Sequence, residues 1–165
     1  MSERPPVFDR ALHLARLQRH AGAPQLIEEH GAVELAGRLQ LINRSFARCL
    51  LVAHRGELLA GALGASGKVG DLVTAAPGAD GLPAAIEPPF NAIFHMLDLQ
   101  VVNDVPALLK TLRSALLPDG LLLIACFGGE TLTELRSAWL EADERVGGAV
   151  SPRVAADRRP GPTPE

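Results

Sequence analysis

The chain has 165 residues, 47% hydrophobic, 21% charged and 4% aromatic, with a formal net charge of −3. This is the composition of a chain that buries a core, not of a disordered one. Mild acidity argues against a general nucleic-acid or membrane-surface binder, which needs a basic face. One Trp, five Phe and no Tyr leave little for stacking bases.

The first residues, Met1-Ser2-Glu3-Arg4-Pro5-Pro6, lack the apolar stretch of a secretory signal. No apolar run approaches the ~20 residues that span a bilayer, so a soluble, cytoplasmic protein is expected. Residues 7–21 read as a helix with Phe8, Ala11, Leu12 and Ala15 on its apolar face and Arg10 and Arg16 off it. Gly22 and Pro24 end it. A second helix is predicted from Gln25 to Asn43, with Leu35, Leu39 and Ile42 inward and Glu28, Glu29, Glu34 and Arg38 outward.

The period then changes. Cys49 to Ala53 is continuously apolar, the pattern of a strand buried on both faces. One or two helical turns fit Glu57 to Leu63, and a second strand fits Lys68 to Thr74. Residues 75–90 hold Pro77, Pro83, Pro88 and Pro89 and read as loop. A third strand fits Ala92 to Leu97. Asp104 is placed to cap a helix with Pro106 in its first turn and Val105, Leu108, Leu109, Leu112 and Leu116 as its stripe. Pro118-Asp119-Gly120 reads as a turn into a fourth strand, Leu121 to Phe127, buried on both faces. Thr131 and Glu134 have the spacing of a capping box opening a last helix, which Gly147-Gly148 stops. Cys49 and Cys126 form no CxxC or Cys/His cluster, so no metal centre is expected and both are read as buried free thiols.

Two helices followed by alternating strands and helices predict an α/β fold: a Rossmann-like, doubly wound parallel sheet with N-terminal helices. The predicted organisation is 1–44 N-terminal helices, 45–150 an incomplete α/β domain and 151–165 a disordered, Pro-rich tail. Ligands of such folds sit at the C-terminal ends of the strands.

Several stretches carry a resemblance. Val102-Asn103-Asp104, the Leu-rich helix with Arg113 and Leu116, and Leu117-Pro118-Asp119-Gly120-Leu121-Leu122-Leu123 resemble the fourth-to-fifth-strand segment of class I S-adenosylmethionine-dependent methyltransferases. Phe127 to Arg136 is similar to a narrower branch, that of the biotin-synthesis carrier-protein methyltransferase and the mitochondrial complex I assembly factor 5 group. Val7 to Leu12, Leu39 to Phe46 and Ser151-Pro152-Arg153-Val154 resemble proteobacterial relatives of that assembly factor. The resemblance implies the class I methyltransferase fold, S-adenosylmethionine as cofactor and a protein as a candidate substrate. It also implies two further strands, which the tail after Val154 does not supply, so a shortened product is expected.

In the family, the first strand ends in Asp-x-Gly-x-Gly-x-Gly, where missing side chains let the backbone approach the cofactor. Aligned on Gly56, the acid falls on Leu50 and two glycines on Val52 and His54. By resemblance, Gly56 is the cofactor glycine, Asp71 the acid for the ribose hydroxyls, and His95-Met96-Leu97-Asp98-Leu99-Gln100, with His95 and Met96 foremost, the pocket wall. Gly56 also reads as an ordinary turn residue, Asp71 as a surface acid at a strand end, and His95 as a core residue. His54 has no acidic partner in local sequence and reads as structural. No catalytic residue is assigned. Two readings stay open: a methyltransferase-family enzyme of unknown substrate, and a non-catalytic relative acting in binding or assembly.

Overall fold

The computed structural model describes residues 6–83 and 85–147. The chain divides into two compact units, 1–126 and 127–165. The expectations for Gly148, for Ser151 to Val154 and for the tail lie outside the described residues.

The first unit runs α1 (Arg10–Arg19), α2 (Leu26–Gln40), β1 (Phe46–Ala53), α3 (Glu57–Ala65), β2 (Val69–Ala75), β3 (Phe90–Met96), a 3-10 turn (Leu99–Val101), α4 (Val105–Ala115) and β4 (Leu116–Ala125). The four strands form one sheet in the order β2-β1-β3-β4, all pairs parallel. This is the expected Rossmann-like α/β architecture.

Its core follows from the two-residue period of a strand. Cys49, Leu51 and Ala53 of β1 join Ala92, Phe94 and Met96 of β3 on one face, under Leu35 and Leu39 of α2 and Leu59 and Leu63 of α3. Leu50 and Val52 join Ile93 on the other, under Leu108, Leu112 and Ala115 of α4. A central strand with helices on both faces must be apolar at every position, which is why Cys49 to Ala53 carries no polar side chain. Each Leu, Val or Phe buried there contributes about 1.5–3 kcal/mol.

Several expectations are corrected. The fourth strand is half-buried rather than buried, because β4 is a sheet edge among the described residues. It also starts earlier: Pro118-Asp119-Gly120 lies within β4, as an irregularity where Phe90 pairs with Leu116 but Ala92 with Leu121. Cys49 is buried, but Cys126 is exposed. Helix α1 presents a different face from the one its apolar residues suggest. Ala11, Leu12 and Ala15 are exposed, while Arg10 is buried and His13, Leu14 and Leu17 are partly so. The reason is electrostatic: Arg10 has a buried carboxylate to meet.

In α4, Asp104 caps as expected, its carboxylate accepting from the Ala107 N–H at 2.9 Å. In the second unit, α5 (Thr133–Val146) begins differently from the capping-box expectation. The residue at its N-cap is Leu132, in the left-handed region at φ 59°, with no side-chain cap. Thr133 donates its hydroxyl to the Glu130 carbonyl at 2.8 Å. Gly147, at φ 69°, closes the helix in the conformation glycine favours.

Candidate functional site

β1 stands between β2 and β3, and the chain visits β1, then β2, then β3. The connections leaving β1 and β2 therefore run in opposite directions. A crevice opens at such a switch point, beyond the C-terminal ends of the strands. Two features occupy this end of the sheet.

The first is a cleft of about 330 Å³, at the lower end of the range for small-molecule sites. Its walls are Leu51 and Ala53 of β1, His54 and Gly56 after it, Glu57 and Ala60 on α3, and Thr74, Ala75 and Ala76 at the end of β2. Most of these are small, so the strand ends stay open. Gly56 forms the N-cap of α3. A Cβ there would sit 3.2 Å from Leu51 Cδ2 and 3.3 Å from Ala53 Cβ, tighter than ordinary contact.

The second is a polar cluster centred on Asp98, which is fully buried just after β3. Arg10 grips it with a bidentate pair, Nη1 to Oδ1 at 2.7 Å and Nη2 to Oδ2 at 3.1 Å. Nε of Arg10 also donates to the Ala79 carbonyl at 3.1 Å, and Nη2 to Gly78 at 2.7 Å. One guanidinium thus ties α1, the Pro-rich loop and the end of β3 together. On the other side, His54 Nε2 lies 2.9 Å from Asp98 Oδ1. Burial by itself would raise the Asp98 carboxyl. The hydrogen bonds from His54 and Arg10 and their charges outweigh it, and the group stays below the usual carboxylate range. An ionised carboxylate only accepts, so the His54 ring proton is on Nε2.

His13 completes the group. Its ring meets that of His54 edge-on, centroids 5.9 Å apart. Its Nε2 is buried with no hydrogen-bond partner among the described residues. Burial, then the charges of Arg10 and His54, lower its pKa.

Of the residues expected to contact a cofactor, Gly56 lines the cleft. Asp71 stands opposite Arg48 in the β1–β2 register, exposed, with its carboxylate 4.0 Å from Arg48 Nε. It is three residues short of Thr74, about 10 Å along the strand. His95 and Met96 are buried at the end of β3, outside the cleft's lining. His95 Nε2 lies 3.3 Å from the Gly81 carbonyl, and burial lowers its pKa. The structure therefore does not gather these four around one space. It gathers Arg10, His13, His54 and Asp98, of which the sequence offered His54 as a structural histidine and Asp98 only within the pocket-lining stretch 95–100. The missing acidic partner of His54 is Asp98, 44 residues along the chain. The signal for it was an Asp directly after an apolar strand, with an Arg on a helix whose hydrophobic face is weak.

The class these features define is a Rossmann-like α/β protein with its crevice at the switch point beside β1. No family model matches the chain. Over 57 residues it is 41% identical to malonyl-[acyl-carrier protein] O-methyltransferase of Halorhodospira halophila, covering 34% of this chain and 19% of that protein. Over 53 residues it is 47% identical to the protein of the same name from Xylella fastidiosa, covering 32% and 18%. Over 66 residues it is 38% identical to the mitochondrial arginine-hydroxylase NDUFAF5 of Homo sapiens, covering 40% and 19%. A solved plantazolicin methyltransferase, BpumL, superposes with a TM-score of 0.49 at 8% identity, over 67% of this chain and 50% of that one. The chain spans less than a fifth of the length of the curated relatives named here. Over these stretches the chain is similar both to carrier-protein methyltransferases and to the arginine-hydroxylase.

Proposed function

We propose that this chain is part of an S-adenosylmethionine-dependent methyltransferase-family protein, and that the cleft beyond β1 and β2 receives the cofactor. The observation that carries this reading is the position of the cleft: it opens at the strand ends beside the switch point, with Gly56 at the turn. The lining suits such a ligand in part. Ala53, Ala60, Ala75 and Ala76 leave room, and Thr74 and Glu57 offer a hydroxyl and a carboxylate to polar groups. When bound, the cofactor supplies an electrophilic methyl group. The residues of this chain hold and orient it, and alignment of methyl group and nucleophile supplies much of the rate. Asp71, His95 and Met96 are carried as further candidate contacts. The substrate is a carboxylate or side chain presented by a protein, as the relatives' names suggest, and the setting is cytoplasmic.

Irradiating the protein with methyl-labelled S-adenosylmethionine and mapping the adduct tests the reading. Label is expected on peptides covering 51–60 or 74–76, and Gly56→Val should abolish it by filling the turn. Label confined to other peptides would contradict it.

A second reading has one observation in its favour. By the resemblance, Val52 and His54 fall where the family's first-strand motif has glycine, and His54 is held by Asp98. On that reading the domain binds a partner in assembly and performs no transfer, and no adduct forms.

A further inference from the structure

Buried polar atoms without partners are rare and costly. His13 Nε2 is one, and it belongs to a group with the chemistry of a metal centre. His13 on α1, His54 in the turn after β1 and Asp98 after β3 each place one ligand atom within 4.8 Å of the others. Asp98 Oδ1 and His54 Nε2 are 2.9 Å apart. Two donors of one tetrahedral ion, each bonded at about 2.0–2.1 Å, lie about 3.3 Å apart, so this pair needs only a small opening. The His13 ligand atom lies within 4.8 Å of both, so closing all three on one ion takes a shift of about 1.5 Å at most.

We propose that His13, His54 and Asp98 form a binding site for a divalent first-row transition-metal ion. Two imidazoles and one carboxylate are the donor set of catalytic zinc sites and of non-haem ferrous iron. The ion takes the place now held by the His54 proton against Asp98 Oδ1, with the ring proton moving to Nδ1. Arg10 is the outer partner. Its Nε and Nη2 are anchored on Ala79 and Gly78, Nη2 holds Asp98 Oδ2, and Nη1 holds Oδ1 at 2.7 Å on the side away from His54, which fixes the carboxylate and competes with the ion for Oδ1. Its positive charge opposes a cation, so the affinity is expected in the micromolar range. The proposal stands apart from the cofactor reading: the metal-binding test involves no S-adenosylmethionine.

The test is a titration of chelator-treated full-length protein with Co²⁺, followed by its visible bands, with Zn²⁺ as competitor. One equivalent is expected to bind. His13→Asn, at a partly exposed position, should keep the fold by circular dichroism and weaken binding by about tenfold or more. His54→Asn should do the same. His20→Asn and His30→Asn, at exposed positions, should leave binding unchanged. No saturation at millimolar Zn²⁺, or undiminished binding in His13→Asn, would overturn the proposal.

Discussion

Asp98 and His54 are 44 residues apart in the chain and 2.9 Å apart in space, joined at the ends of adjacent parallel strands. With Arg10 on the opposite side of the carboxylate, they make a polar cluster beside an apolar core. The pairing is long-range because the fold is: β1 and β3 are neighbours only after the chain has made α3, β2 and the Pro-rich loop.

Breaking this cluster should be expensive. Asp98→Asn leaves the Arg10 guanidinium buried without its counter-charge, and loss of one partner of a buried pair costs about 3–5 kcal/mol. The double variant Arg10→Met with Asp98→Leu should recover most of that stability, because no charge is left stranded. Urea denaturation of the three proteins measures both effects.

The elements were legible in the sequence because their patterns are local. The buried run Cys49 to Ala53 and the Asp104-Pro106 helix start are each written in consecutive residues. The site was less so. Arg10 reads as a solvent-facing charge unless its partner is known, and that partner lies 88 residues on. Likewise, β4 reads as a buried strand from its Leu-rich run, but its edge position depends on the order of the sheet. Asp71 follows a strand start and reads as a site acid, yet the β1–β2 register sets it against Arg48.

The stability of the fold should fall in mild acid. His95 is fully buried, and burial lowers its pKa, so the folded protein holds it neutral. The unfolded chain binds that proton more readily, so stability is complete above about pH 6.5 and declines as the pH falls below it. Asp98 acts in a separate window. Its folded pKa is lowered, so its contribution is lost only as pH falls below about 4. Denaturation midpoints at about pH 7.5 and about pH 5.5 should differ in the native protein and differ less in His95→Gln.

Gly81 should resist substitution. It sits at φ 78°, and an added Cβ would lie 2.7 Å from Val102 Cγ2 and 3.0 Å from Leu108 Cδ2. Gly81→Ala combines left-handed strain with overpacking, about 2–4 kcal/mol together. It should also loosen the loop whose carbonyls hold Arg10, and calorimetric melting would register the loss.

The two thiols should separate cleanly. Cys49 is buried and its pKa is raised by that burial to about 11, whereas Cys126 is exposed. Since the thiolate is the reactive form, a chromogenic disulfide reagent should titrate one thiol in the native protein and two in denaturant. Rapid reaction of both without denaturant would contradict the packing of β1.

The most direct test of the account is calorimetric titration of the purified chain with S-adenosylmethionine. Saturable binding of one equivalent in the micromolar range is expected, abolished by Gly56→Val. No heat at millimolar ligand, with the fold intact by circular dichroism, would contradict it.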